Sequence, residues 1–550
     1  MEEKEFNLLT EPWIKVLDSD LAVKEVSLTD ALAHAHEYKG LAGEMPTQDI
    51  ALLRFLLACV QTIFYRYDAN GEYDEMSDEN NKDSNDVKNR WKEYWQKGEF
   101  SEKTVWDYFK TYQERFWLFH PETPFYQVAD LEYGTKYKSV KCLYGNIKAS
   151  NNEKATKYHF SMCEGEAFKK MPYSMAARWL FHLNGFSVVI KKQNKAPGNP
   201  KGIGVGRLGQ LGLIYVEGKN LFEELMLNMT PLRPDQSELW GKPNPIWEQP
   251  VRREQSIEIP SPDNLPELYT IQSRRILLFR NDGYVTGYRI MNGDYYPVED
   301  DFNEPMTLWK KGKGDTFVPK THNKELQIWR EFPSIFYTNG DKDEHIPGLI
   351  EWIEEICDDQ MALKDTFVTY RTVGMRYKES SSYEECISDG MTLSSELLRN
   401  FNEKWITLIK NEIEKCEKVA DVIKSFANKI EKILNQNNNK HADKKTLADR
   451  LSEQYYAGID SHFREWLRSI KLESDWKEDK IKEWDKIKEW GEISSKCAKQ
   501  VVQKYVATLL NITLRYKRPE KEGESELSIP KAYNEFLSSI HRIYEYLYIY

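Results

Sequence analysis

Between Ala167 and Val216 the chain has no aspartate or glutamate at all. That gap is at odds with a net charge of -11, and the same window holds eight cations: Lys169, Lys170, Arg178, Lys191, Lys192, Lys195, Lys201 and Arg207. Cysteine is also scarce. The seven residues are scattered with no close pair, which excludes a disulfide scaffold or a zinc site of the usual spacing and points to a reducing, cytoplasmic compartment. No segment approaches about eighteen uninterrupted apolar residues, and residues 1–10 are charged, so neither membrane spanning nor export is expected. Paired nucleophile and base are missing too. His34 and His36 have no further His or Cys nearby, and 341–345 and 354–359 bring acids close to a His or a Cys without a catalytic spacing. No catalytic residue, metal site or cofactor is expected.

What is present suits a large folded protein. Hydrophobic residues make up 40% and aromatic residues 13% of the chain, enough for about two to four domains with sizeable cores. The stretch Ile50 to Phe64 is apolar nearly all round and is expected as a central buried helix. Phe109 to Phe119 reads as an aromatic helix, and 131–157, with six lysines against two acids, as a long, mobile, basic loop. From 249 to 319, β-branched and aromatic runs alternate with Asn-Asp-Gly and Asn-Gly-Asp, which predicts antiparallel hairpins. Beyond about Ser394, apolar residues from Leu397 through Phe401, Trp405, Ile409 and on to Ile433 recur at helical spacing, and similar patterns follow over 446–470, 475–510 and 528–548. The expected fold is therefore a mixed α/β N-terminal domain, 1–390, with antiparallel β hairpins, followed by a C-terminal antiparallel four-helix bundle, 391–550. The echo Ile481 to Trp490 reads as a solvated helical face.

Within the acid-free window lies Ala196-Pro-Gly-Asn-Pro-Lys-Gly-Ile-Gly-Val-Gly-Arg-Leu-Gly209. Backbone bare of side chains beside cations lacking carboxylates suits a polyanion such as a nucleic-acid phosphate chain. Gly204-Val-Gly-Arg-Leu-Gly209 spells a dinucleotide fingerprint, but 210–216 reads as a strand where that fold needs a helix.

Four landmarks in order carry a family resemblance: Phe6-Asn-Leu-Leu-Thr-Glu-Pro-Trp-Ile-Lys-Val16, Asp49-Ile-Ala-Leu-Leu-Arg-Phe-Leu-Leu57, Leu118-Phe-His-Pro-Glu-Thr-Pro-Phe-Tyr-Gln127, and Ala196-Pro-Gly198 before a glycine run. With Asn303-Glu-Pro-Met-Thr-Leu-Trp309 and the helical end, the set resembles the large subunit of type I-E CRISPR Cascade, the CasA family. The resemblance implies a non-catalytic recognition subunit of a crRNA-guided surveillance complex. Its members sense the protospacer-adjacent motif in double-stranded DNA, help open the duplex and recruit a helicase-nuclease; the implied partners are target DNA, the crRNA-bearing subunits and that nuclease, with no membrane.

By the same resemblance, the family's glycine loop falls on Ala196, Pro197, Gly198, Asn199, Lys201 and Gly202, beside a basic patch of Lys191, Lys192, Lys195 and Arg207. Its flexible loop falls on Phe160, Ser161, Met162 and residues to about Ser174. Its lysine finger falls on the 287–293 stretch, where Asn292 stands opposite the lysine and Arg289 is the nearest cation. The wedge that splits the first base pair falls near Arg376, Tyr377 and Lys378, where the family's amide is absent and Tyr377 is a stacking candidate. Two other readings stay open: an architectural scaffold whose acidic surface docks on basic partners, and a metal-dependent nuclease with an unrecognised site.

Overall fold

The computed structural model describes residues 4–77, 80, 82–145, 169–190, 204–234, 238–251, 258–296, 303–314, 316–336, 345–358, 362–363, 366–378, 382–398, 403–434, 446–470, 476–509, 516–517 and 527–548. They divide into two compact units, Met1–Lys364 with Val368–Met391, and Asp365–Phe367 with Thr392–Tyr550.

The first unit is built around the helix Pro46–Arg66. Pro46 opens it in the first turn, and every residue from Ile50 to Phe64 is buried, as the all-round apolar pattern predicts. This helix has the length and hydropathy of a membrane span, but it lies almost wholly inside the protein. Phe55 at its middle meets Phe181 at 4.7 Å, Trp247 at 5.7 Å and Phe125 at 5.8 Å, ring separations at which aromatic pairs attract. The helix Tyr173–Phe186, buried from Ala176 onward, packs directly against it.

Short sheets surround these helices. Arg274–Asn281 and Tyr284–Asn292 form an antiparallel hairpin, with Tyr284 opposite Asn281 and Asn292 opposite Arg274. Its turn is made by Asp282 (φ 49°) and Gly283 (φ 77°), the left-handed pair that the Asn-Asp-Gly signal predicts. The second strand also carries Lys138–Ser139 and Met171–Pro172 on its other edge. In another sheet Phe367–Lys378 lies between Leu213–Glu217 and Ser382–Ser394, and Ile14–Leu17 lies between Val23–Val26 and Gly40–Leu41 in a third. The mixed α/β reading with antiparallel hairpins holds for this unit.

Three local expectations are corrected. Phe109 to Phe119 is not one helix: the helix Glu102–Thr111 ends first, Gln113–Phe116 is a 3-10 turn, and Trp117–Phe119 pairs as a strand with Glu5–Asn7. The aromatic run suited either state, and the long-range pairing decided it. The Asn-Gly-Asp at 292–294 does not turn, because Gly293 N–H donates to Ser273 O (2.9 Å) and Asp294 N–H to Gln272 O (2.9 Å), extending the ladder. Nor does the long C-terminal helix begin at Ser394. Leu397 belongs to the 3-10 turn Ser395–Leu398, and the helix proper is Glu403–Ile433. Phe401 and Asn435 to Asn439 lie outside the described residues.

The second unit is helical. Glu403–Ile433 packs against Leu447–Ser469 and Ile529–Ile543, and Leu447–Ser469 against Trp476–Thr508. Thr446 and Asp449 cap the second helix reciprocally, and Pro530 occupies the first turn of the last. The stretch expected as a solvated face is two-sided. Trp484 is half exposed, whereas Trp490 is fully buried against Phe463 (4.8 Å) and Trp466 (5.6 Å).

Candidate nucleic-acid interface

Lys191, Lys192, Lys195 and the glycine-loop positions Ala196, Pro197, Gly198, Asn199, Lys201 and Gly202 lie outside the described residues, as do Phe160, Ser161 and Met162. The stems that carry them are described, and both rest on the C-terminal half of the helix Tyr173–Phe186. On one side, Gly145 lies so close to His182 that a Cβ there would come 2.2 Å from the imidazole Cε1. His182 sits among Trp179 (5.2 Å), Phe186 (5.4 Å) and Tyr383 (5.8 Å). Neither of its ring nitrogens has a hydrogen-bond partner among the described residues, and burial holds its pKa down at about 3, so the ring is neutral packing.

On the other side, the chain leaves the helix at Ser187 and returns at Gly204. Gly206 N–H donates to Ser187 O at 2.8 Å, closing the stem. Asn184 organises what lies beneath: its Oδ1 accepts Arg274 N–H (3.0 Å), its backbone O accepts Ser273 Oγ–H (2.7 Å), and its Nδ2 donates to Ile271 O (3.0 Å). Arg274 is fully buried. Its Nε donates to Ser187 Oγ (2.6 Å), one terminal nitrogen to Ser273 O (2.9 Å), and the other to Gly204 O (2.8 Å). Burial pulls its pKa down to about 10, so it stays charged at neutral pH.

The glycines here serve backbone geometry. Gly204 has φ +81°, in the left-handed region, and at Gly209 a Cβ would come 2.1 Å from the Tyr377 hydroxyl oxygen. Arg207–Gln210 is a 3-10 turn leading into the strand Leu213–Glu217, so the dinucleotide spelling lacks its helix, in line with the sequence reading.

The other candidate residues divide by surroundings. Arg207 stacks over the Tyr296 ring (4.4 Å to its centroid) and donates to its hydroxyl. Arg178, one of the eight cations of the acid-free window, is in the core, paired with Glu44 (2.7 Å) and Glu25 (2.8 Å). Carboxylates absent from the local sequence thus reach it from the strand Val23–Val26 and from the bend before the helix Pro46–Arg66. Arg289 lies mid-strand and donates to Leu131 O (2.6 Å) and Glu132 O (3.3 Å), where it braces a neighbouring segment rather than projecting as a finger. Asn292 is buried at the end of that strand. Tyr377 is partly buried and donates to Phe186 O at 2.8 Å, with Tyr383 at 6.0 Å, so its hydroxyl faces the glycine stem. Arg376 and Lys378 alternate with it and are exposed.

Sequence reading missed Asn184, Ser187, Ser273 and Arg274. The available signal was Arg274-Arg275 at the head of an apolar strand, a place where a charge is costly unless something specific holds it.

Comparison with known proteins agrees with the ordered landmarks. The sequence model of the CRISPR-associated protein Cse1 family matches residues 7–497. A curated relative from Thermus thermophilus, named CRISPR-associated protein CasA/Cse1, is 30% identical over 346 residues, 62% of this chain and 62% of its own length. The crystal structure of Thermobifida fusca Cse1 superposes with a TM-score of 0.78 at 23% identity, covering 98% of both chains. A chain of a solved CRISPR RNA-guided surveillance complex superposes with a TM-score of 0.70 at 16% identity, covering 98% of this chain and 100% of that one. Fold and landmarks together define a CRISPR-associated protein. The chain belongs to the Cse1 family, also named CasA.

Proposed function

We propose that this chain is the DNA-recognition subunit of a crRNA-guided surveillance complex. It senses the adjacent motif in duplex DNA, aids strand opening and supports recruitment of a helicase-nuclease, without cleaving DNA itself. Its helical unit serves as the C-terminal four-helix bundle that touches neighbouring subunits. Family membership supports the assembly, because a solved surveillance complex contains a chain of the same fold.

The observation that carries the DNA role is the convergence of two stems on one helix. Gly145 and the Ser187–Gly206 closure both rest on the Tyr173–Phe186 helix, and the sequence between Ile190 and Gly204 bears Lys191, Lys192, Lys195 and Lys201 with no carboxylate. Cations with no carboxylate beside them in the sequence suit phosphates. Exposed Arg376 and Lys378 add cations on the strand whose Tyr377 touches that stem. Guide pairing reads the target while protein groups read the short neighbouring motif.

Alanine at all four lysines, in the complex assembled with its RNA-bearing subunits, is expected to weaken binding to a guide-matched duplex while leaving assembly intact. Wild-type affinity in a gel-shift titration would remove the DNA role and favour a scaffold.

A further inference from the structure

The strand Val23–Val26 lies at the rim of its three-stranded sheet and pairs with Ile14–Leu17 on one side only. In an antiparallel pair alternate residues bond across to the partner strand, and the neighbouring bonds fix which ones do so here. Asp18 N–H donates to Ala22 O (3.0 Å), while the carbonyls of Leu17 and Lys15 turn the other way and accept Lys39 N–H (2.7 Å) and Ala42 N–H (3.0 Å). Lys24 therefore bonds across to Val16, and the N–H and C=O groups of Val23 and Glu25 face outward. Val23, Lys24 and Glu25 are all exposed.

The turn before this strand carries strain. Leu21 has φ +62°, the left-handed region that a leucine rarely adopts, and it is 69% exposed. Two other residues with positive φ are held by packing: Tyr126 lies 4.7 Å from Phe181, and Phe6 lies 5.9 Å from Tyr173. No such packing offsets the strain at Leu21, where glycine or asparagine would suit the turn better. Asp18 holds the turn itself, its Oδ1 accepting Asp20 N–H and Ala22 N–H, both at 2.9 Å. Val23, 56% exposed, is a second apolar side chain close by. One exposed leucine would mean little, but strain, apolar exposure and an open strand edge at one place point to a partner.

The chemistry of the edge defines that partner. Outward amide and carbonyl groups are matched by another extended backbone, which adds to the sheet as a strand. The free charge beside it is acidic: Asp20 makes no ion pair among the described residues, whereas Lys24 covers the Tyr38 ring (4.7 Å) and Glu25 is held by Arg178 (2.8 Å). Proteins that hold RNA present cations. We propose that Leu21 and the outer edge of Val23–Val26 dock an extended segment of an RNA-bearing subunit, apolar where it meets Leu21 and Val23 and basic where it meets Asp20. The proposal rests on the surveillance-complex reading above, and not on which residues read DNA.

The test compares Leu21→Asn and Asp20→Lys with wild type, each in the full chain. Three quantities are measured: affinity for the purified RNA-bearing subunits loaded with guide RNA, thermal unfolding of the isolated chain, and hydrogen–deuterium exchange of peptides spanning residues 18–26 before and after assembly. Docking is supported if Leu21→Asn weakens assembly by about tenfold without lowering the thermal midpoint, since asparagine tolerates left-handed backbone. Asp20→Lys should weaken assembly in the same direction, and exchange in the wild type should slow on assembly. Wild-type affinity in both variants overturns the proposal. So does exchange that assembly leaves unchanged. Exchange that slows in the isolated chain as its concentration rises assigns the edge to a second copy and overturns it as well. Where the two variants disagree, or Leu21→Asn lowers the midpoint, the wild-type exchange decides. Failure of the surveillance-complex reading is distinguishable, because it appears as a wild-type chain that does not join the RNA-bearing subunits at all.

Discussion

Arg54 lies 1% exposed in the central helix, where both its terminal nitrogens reach the Glu304 carboxylate, at 2.7 and 2.8 Å, and its guanidinium covers the Tyr269 ring at 4.2 Å. Glu304→Ala strands a buried charge and is expected to cost about 3–5 kcal/mol of stability, measured by urea unfolding. Glu224 is the opposite case. Burial, and secondarily the Glu217 carboxylate, push it up to about 8, and burial likewise pushes Asp49 up to about 7. In the unfolded chain a glutamate releases its proton near the ordinary value of about 4.3. Between that value and about 8 the folded state therefore binds more protons, and stability falls as pH rises. Glu224→Gln should remove the Glu224 share of this dependence, leaving that of Asp49, and gain on the wild type by up to about 1.4 kcal/mol per pH unit across the window. Unfolding curves with the same slope against pH for both proteins would refute the assignment.

Among elements, the contact between the glycine stem and the strand Phe367–Lys378 makes a sharp expectation. A methyl at Gly209 collides with the Tyr377 hydroxyl, which in turn holds Phe186 O. Gly209→Ala should cost about 1–3 kcal/mol in the wild type and much less in a Tyr377→Leu background, so a double-mutant cycle on thermal stability should show strong coupling. Additive effects would mean that the two do not touch. Elements with a strong local signal were legible in the sequence. The helix Pro46–Arg66 is apolar all round, the hairpin turn carries Asp282-Gly283, and the helix Leu447–Ser469 has its capping residues in place. Residues whose partners come from far along the chain were not. Arg178 looked like surface charge because Glu25 and Glu44 lie more than a hundred residues away, and Arg289 looked like a finger because the carbonyls it holds belong to residues 131 and 132. Spacing along the chain carries no information on such pairs.

At the scale of the whole molecule, an anionic chain leaves one cation-bearing window free of acids. The first unit roots both ends of the lysine-bearing part of that window on a single platform, Asn184, Ser187, Ser273 and Arg274. In general, net charge of one sign favours solubility, and local charge of the other sign attracts oppositely charged partners. Much of this was legible in outline, since the family landmarks and the charge gap are linear features. The platform was not, because it is assembled from a helix end, a strand start and a returning stem that meet only in space.

The most direct test of the account is the salt dependence of target binding by the assembled complex. Duplex affinity is measured over a range of salt concentrations for wild type and for the chain with alanine at Lys191, Lys192, Lys195 and Lys201. A plot of log affinity against log salt should become shallower by about 0.9 for each of these lysines that meets a phosphate. Superimposed lines for the two proteins would contradict it.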